Sequence, residues 1–478
     1  MSKDILLFVN PYIEDFAAYD HFMKPYGLLL LAAQFRESYD LYFLDAQARK
    51  DCGSEYCGSL VSEKIATPAI LAEVPRRYRR YGIAASDFIA KAKALPVPRF
   101  IFVTSGMTYW YGGVQYTIAL LRGIFPEAKI LLGGNYACLL EEYARKYSGA
   151  DYVIAKKDLA SVVREVRTII SDAIPEAPIL THIPAWDLLD SPGAHASLPV
   201  LTSFGCPYRC SYCSGWKLEP RSALDLAQAL ELFTHARTRY GTRCFAFYDD
   251  ALLVGSETHA LPLFTELARI CPDLELFTPN GLHARHITRE LARAMRACGF
   301  RDARLALESI DDAYIQSSGA KITRDEFARA ADHLFEAGFA PGEIKAYCMV
   351  GAPRPQLPVA GAYAPILVAG APRPQQDSED IFVHAESVHE TMEFARRLSV
   401  VPMLAWYSPV PGSRDFAFLA ERYDLSDPLR HNNTAWIYQV WPGERAYQEL
   451  KSHEREARDS VHKLNECTQE TDQDRPAR

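Results

Sequence analysis

No apolar run in this sequence approaches the roughly 20 residues that a membrane-spanning helix needs, so a helical membrane protein is not expected. The opening segment, MSKDILLFVNPY, lacks a charged leader, a long apolar core and a small-residue cleavage site, so no signal peptide is expected either. Positive charge is in deficit: 52 Lys and Arg stand against 60 Asp and Glu, a net charge of -8. That balance argues against broad attraction to nucleic acid or to an anionic membrane. The one basic run, Arg76, Arg77, Arg79 and Arg80, falls in a stretch read as helical and charged, and reads as a solvated face. Neither a GxGxxG dinucleotide fingerprint nor a GxxxxGKS/T phosphate loop occurs. Eleven cysteines without an export signal point to a reducing cytoplasm, where thiols fill cores, catalyse or bind metals.

What is present is an alternation of strands and helices over a chain of 478 residues, too long for one small core. DILLFVNPY, DLYFLDA, RFIFVTSGMT, AKILLGGNY and ADYVIAKKD read as strands between helical segments in the first 160 residues. This predicts a Rossmann-like parallel sheet with ligands at the C-terminal strand ends. Two loops fall there, Thr104-Ser105-Gly106 and Gly133-Gly134-Asn135, where glycine lets a ligand approach the backbone. Residues 161–198, rich in Pro, Gly and Asp toward their end, read as a linker. Six further strand and helix units over 199–420 suggest a partial α/β barrel. GAPRPQ occurs at 351–356 and again at 370–375, so 352–375 reads as a duplicated loop insertion. Residues 421–478 form a C-terminal extension whose charged end, from about 451, shows no apolar periodicity and is expected to be disordered.

The segment SFGCPYRCSYCSG places Cys206, Cys210 and Cys213 within eight residues, directly after a strand. A structural zinc site wants four ligands, and so does a closed ferredoxin-type cluster. A disulfide would use only two of the three and fits neither the count nor the compartment. Three close thiolates suit a [4Fe-4S] cube with the fourth iron left open. Elsewhere, Cys52 and Cys57 form a CxxxxC pair read as ordinary thiols. His283 and His286 read as loop histidines facing solvent, each with a minority reading as a proton donor.

At Cys206, Cys210, Tyr212 and Cys213 the sequence resembles the radical SAM superfamily, whose signature is CxxxC, one residue, an aromatic and then Cys. The resemblance implies S-adenosylmethionine (SAM) chelated to the open iron and cleaved by a cluster electron to methionine and a 5'-deoxyadenosyl radical. It implies SAM contacts at Tyr212, at Tyr248, Asp249 and Asp250 ending the second barrel strand, at Asn280 after the third, and at Glu308 and Ser309 ending the fourth. For Asp249 and Asp250, helix capping is the alternative reading. A reductant such as flavodoxin or ferredoxin is implied as well.

Residues 4–160 resemble the cobalamin-binding-type domain that precedes the barrel in many radical SAM methylases, which makes Thr104, Ser105, Gly106, Gly133, Gly134 and Asn135 candidate cobalamin contacts. The DxHxxG motif of one B12-binding lineage is absent, and Ala155-Lys156-Lys157-Asp158 replaces the usual glycine-glutamate ending. The expected protein is a radical methyltransferase acting on a small molecule. The alternatives are a cobalamin-independent radical SAM enzyme and a non-catalytic iron-sulfur sensor.

Overall fold

The computed structural model of the chain describes residues 3–50, 57–170, 180–189, 196–319, 321–354, 385–441 and 444–473. Most of the repeated segment at 352–375, and Cys52 of the CxxxxC pair, lie outside the described residues. The chain divides into two compact units.

The first unit comprises residues 1–199 with two later excursions, 235–242 and 426–432. Its centre is a parallel sheet of β1 (Ile5–Asn10), β2 (Asp40–Asp45), β3 (Phe100–Val103), β4 (Lys129–Leu132) and β5 (Tyr152–Val153), in the order β5-β4-β3-β1-β2. β1 and β3 are apolar along nearly their whole length because both faces of a central parallel strand are covered. The chain leaves β1 on one side for β2 and returns on the other for β3. A ligand crevice is therefore expected beyond the ends of β1 and β3, where the winding reverses.

The predicted linker is not one throughout. The helix Leu159–Ile170 buries Val163, Val166 and Ile170 against Leu6, Phe8, Phe100, Phe102 and Leu131, and so completes a face of the sheet. Its apolar positions recur at helical spacing, a signal that the Pro- and Gly-rich sequence after it obscured. The stretch over 60–95 also departs from expectation. Arg79–Tyr81 pairs with Ile13–Asp15 on one side and Ser62–Lys64 on the other in a small antiparallel sheet, and the α-helix is confined to Ala85–Lys93. Arg80 is no solvated cation. It pairs with Glu14 at 2.8 Å and Glu63 at 3.1 Å and lies over the Tyr116 ring.

The second unit holds β6 (Ser197–Val200, whose end enters this unit), β7 (Cys244–Phe247), β8 (Glu275–Phe277), β9 (Ala303–Glu308), β10 (Ile344–Val350) and β11 (Val401–Trp406). Two three-stranded sheets, β6-β7-β8 and β9-β10-β11, are joined by parallel bridges from Leu276 to Phe300 and Leu282 to Leu305. The result is the partial (β/α)6 barrel expected from the sequence.

β11 is an edge strand, and the expected disordered tail covers it. The helix Glu444–Gln473 packs on β11, burying Leu450 and Val461, while Glu454 Oε1 accepts the Leu404 N–H at 2.8 Å. Leu450, Ala457 and Val461 recur at seven and four residues, a sparse stripe easily lost among the charges. An unpaired edge N–H is a liability. Glu454→Ala is expected to cost about 1–3 kcal/mol and lower the thermal midpoint, whereas Glu449→Ala, which removes an exposed pair with Arg445, should leave it unchanged. Equal midpoints for both variants would remove this role from Glu454.

Candidate active site

The three-cysteine segment begins where the chain leaves β6, and its placement is determined by Asp249 at the end of β7. This buried carboxylate accepts hydrogen bonds from the Ser203 N–H and Oγ at 2.6 Å and from Thr202 Oγ1 at 2.9 Å, with the Thr202 N–H at 3.2 Å. Burial pushes its pKa up to about 6, while the Ser203 and Thr202 donors pull the other way. Asp249 is therefore committed to orienting the entry to the cysteine loop. It caps no helix, and its oxygens are already spent on Thr202 and Ser203.

Further along, Ser211 is clamped from two sides: its N–H donates to Ser318 O and its carbonyl accepts the Asp415 N–H, both at 3.0 Å. Tyr208, inside the loop, stacks on His283 at 4.7 Å and shares a 2.7 Å hydrogen bond with His286 Nε2. His283 is buried, not facing solvent as its loop position suggested. Burial, then the nearby Lys321 ammonium, pushes its pKa down to about 2. A free histidine takes up a proton near pH 6.5. Below that pH the unfolded chain binds a proton that folded His283 refuses, so stability falls by about 1.4 kcal/mol per pH unit. The thermal midpoint is expected to drop between pH 7 and 5, with a shallower slope in His283→Phe, which keeps the stack. An unchanged slope would place the acid sensitivity elsewhere.

The thiols themselves are half-buried at Cys206 and Cys213 and buried at Cys210. Desolvation raises the pKa of all three, Cys213 to about 11, while Lys321 pulls down on Cys206 and Cys210. Cys213 Sγ accepts the Gly215 N–H at 3.3 Å. Three soft donors on one loop, too crowded and dry to ionise together unaided, fit a cationic iron-sulfur group that neutralises them. Among the described residues no three His, Cys, Asp or Glu side chains converge on a single ion. A cube asks otherwise, since each thiolate binds a different iron.

The strand ends frame this loop. Glu308 closes β9 with φ of 63°, and the β9-β10 register shifts between Ala306 and Glu308. A non-glycine residue held in the left-handed region costs on the order of 1 kcal/mol and persists where surroundings impose it. Here Glu308 Oε1 accepts from the Tyr212 hydroxyl at 3.1 Å and Lys321 Nζ at 3.5 Å. Lys321 and Tyr208 were not picked out from the sequence, because nothing local to either shows what it will meet. Asp250 faces Cys213 across Gly215: a methyl placed on Gly215 would lie 3.4 Å from Cys213 Sγ and 4.0 Å from Asp250 Oδ2. Tyr248 and Asn280 are joined, Asn280 Nδ2 donating to the Tyr248 carbonyl at 2.9 Å. Ser309 Oγ is occupied with the Asp311 N–H at 3.0 Å.

In the first unit the two glycine loops meet. Asn135 N–H donates to Ser105 O at 2.9 Å, and Ser105 Oγ donates to Gly133 O at 2.6 Å. Gly134, at φ of 94°, admits no side chain, since a Cβ there would lie 2.2 Å from Ser105 O. A Cβ on Gly133 would meet open space, and one on Gly106 would strike the Trp110 ring at 2.9 Å. Thr104 directly follows β3, its N–H donating to Val9 O. Lys157 hydrogen-bonds Asn135 Oδ1. Backing the β3 loop is the distant excursion 426–432: His431 Nδ1 meets Thr108 Oγ1 at 3.2 Å, and Asn432 donates to Asp15 at 2.8 Å. Asp15 also accepts from Trp110 Nε1 at 2.7 Å. The open space beside Gly133 leaves room for a flat group such as a corrin.

Residues 200–354 match the sequence profile of the radical SAM superfamily. No curated protein sequence matches the chain. Among solved structures, the fold is similar to the cobalamin-dependent S-adenosylmethionine radical enzyme OxsB with aqua-cobalamin bound (TM-score 0.55, 11% identity) and with aqua-cobalamin and S-adenosylmethionine bound (TM-score 0.53, 11% identity). In both comparisons 95% of this chain is covered but only 61% of the other. At that identity the likeness is one of fold, and this chain spans about three fifths of the OxsB length. The profile match begins at the end of β6 and contains the cysteine loop and every barrel strand end described above except that of β11, so residues 200–354 are a radical SAM domain.

Proposed function

We propose that this radical SAM enzyme holds a [4Fe-4S] cluster on Cys206, Cys210 and Cys213, binds SAM at the open iron, and uses cobalamin to methylate a small-molecule substrate. The observation that carries the reading is the Tyr212, Glu308 and Lys321 constellation around the cysteine loop, with Glu308 held in a strained backbone conformation. When bound, the cluster and SAM supply the radical chemistry, and cobalamin the methyl carrier. The chain's own part is positioning. Asp250, beside Cys213, suits an ammonium such as that of the SAM methionine, and the Glu308 carboxylate suits ribose hydroxyls. Tyr212 and Lys321 hold that carboxylate in place. In the first unit, the loops at 104–106 and 133–135 would support the corrin at the reversal of the sheet.

One observation favours the cobalamin-independent reading: Lys157, in the segment that replaces the usual glycine-glutamate ending, ties up Asn135. Protein produced with hydroxocobalamin and then desalted decides between them. Corrin absorbance at one equivalent per chain, reduced in Gly133→Phe, supports the cobalamin reading. Iron retained with no corrin leaves the cobalamin-independent enzyme.

A further inference from the structure

The inner face of the barrel is not packed shut. Successive side chains of a strand point to opposite faces, and on β8, β9 and β10 the two faces differ. Leu276, Ala303, Leu305, Ile344 and Ala346 are fully buried, and the helix Ala385–Arg397 packs on β10. At the alternate positions, Glu275, Phe277, Arg304, Lys345 and Tyr347 are half-buried. A closed eight-stranded barrel fills its interior with layers of side chains. The six strands here leave that face partly open to solvent.

Tyr347 lies along this face. Its hydroxyl donates to the Pro279 carbonyl at 2.7 Å, in the segment after β8 that carries Asn280. A Cβ on Gly281 would lie 3.2 Å from Tyr347 Cδ2 and 3.1 Å from Ala306 Cβ, so the ring rests on two small residues. Met403, directly opposite Tyr347 on β11, is half-buried as well. Toward the start of the strands the character changes. Arg304 and Lys345 are paired across β9 and β10, and both bond one oxygen, Asp302 Oδ2, at 2.9 and 2.8 Å. Neighbouring carboxylates are taken, Glu275 by Arg301 at 2.8 Å and Glu343 by Arg296 at 3.2 Å. Among the described residues neither Arg304 nor Lys345 has a second acidic partner, so one carboxylate serves two cations. An unbalanced charge in a half-buried setting is costly, and Asp302 alone does not balance it.

We propose that Arg304 and Lys345 determine specificity in the barrel interior by holding the anionic group of the substrate, a carboxylate or a phosphate, beside the Tyr347 wall. This rests on the radical SAM reading above. Arg304 stands four residues before Glu308 on β9, about 13 Å at the rise of a parallel strand, a distance within reach of a small metabolite and two long side chains. Carboxylates, Asp250 and Glu308, stand at the mouth, while the floor carries excess positive charge. That asymmetry draws an anionic end inward and presents the opposite end to SAM. A guanidinium forks onto two oxygens and an ammonium adds a point charge, a combination that suits either oxyanion.

The test uses full-length protein and two probes, inorganic phosphate and acetate, at an ionic strength held constant with chloride. Equilibrium dialysis of the radiolabelled anions reads binding without turnover. Wild type is expected to bind one equivalent, and whichever anion binds more tightly names the oxyanion of the substrate. Lys345→Gln, in which Arg304 keeps Asp302, should weaken that binding about tenfold or more. Arg289→Gln, which breaks an exposed pair with Glu336, should bind as wild type does. A second measurement needs no variant: the bound anion should slow acetylation of wild-type Lys345 by acetic anhydride, read by peptide mass spectrometry, and leave that of exposed Lys129 unchanged. Neither anion binding to wild type, or equal binding by Lys345→Gln with Lys345 unprotected, would overturn the anion site and leave the cluster reading intact. A wild type that binds the anion but, loaded with cluster and SAM under reducing conditions, forms no 5'-deoxyadenosine would overturn the substrate role together with the reading it rests on.

Discussion

Cys213→Ala is expected to yield a folded protein that holds little or no [4Fe-4S] cluster and, with SAM under reducing conditions, forms no detectable 5'-deoxyadenosine. Folding should survive because Cys213 contributes little to the fold. It is half-buried, and its sulfur accepts one hydrogen bond, from the Gly215 N–H at the start of a short helix. The loop is held elsewhere, by Asp249 on Thr202 and Ser203, by Ser318 and Asp415 on Ser211, and by His283 and His286 on Tyr208. Cluster binding has no such redundancy, since each thiolate binds its own iron and two cannot hold three. Iron and sulfide content, the cluster's visible absorbance and 5'-deoxyadenosine by chromatography are the measurements. Cys138→Ala, which removes a thiol of the first unit bonded to the Lys156 carbonyl, is the control and should retain all three signals. If Cys213→Ala kept both cluster and SAM cleavage, the ligand assignment would be wrong.

Glu308→Gly is expected to separate stability from ligand binding. At φ of 63° the glutamate backbone sits where glycine is at ease, so the substitution removes strain of about 1 kcal/mol. Against this, Lys321 and the Tyr212 hydroxyl lose their acceptor in a largely buried setting. The two effects oppose, and the thermal midpoint should move little. SAM affinity should not be spared. Charged hydrogen bonds of the kind Glu308 can make contribute about 1.5–3 kcal/mol each, so a loss of about 10- to 100-fold is expected by equilibrium dialysis. Glu308→Gln should fall between, keeping an acceptor for Tyr212 while losing the charge opposite Lys321. SAM binding by Glu308→Gly at wild-type affinity would end the ribose role and leave the strained glutamate unexplained.

The order of strands along the chain could be read directly, because buried parallel strands are short apolar runs and their helices carry a longer period. The cysteine loop was equally plain, since its three thiols are neighbours in sequence and their spacing can be read without the fold. The strand ends were found, but not the groups that each would meet. Asp249 and Glu308 are both carboxylates ending apolar strands, yet one is consumed by the backbone and hydroxyls of Thr202 and Ser203 while the other faces Tyr212 and Lys321. Which donors surround a carboxylate depends on segments distant in sequence, 46 residues away for Ser203 and 96 for Tyr212.

The same reasoning separates the rest. The sequence by itself determined the α/β class, the barrel and its three-thiol loop, because these follow from local periodicity and close spacing. Only the tertiary structure decided that residues 426–432 join the first unit, that Glu454 covers the open edge at Leu404, that His283 is buried against Tyr208, and that Lys321 reaches Glu308. Each of these is a pairing between groups apart in sequence. No local pattern encodes it, because its energy exists only once the chain has brought those groups together.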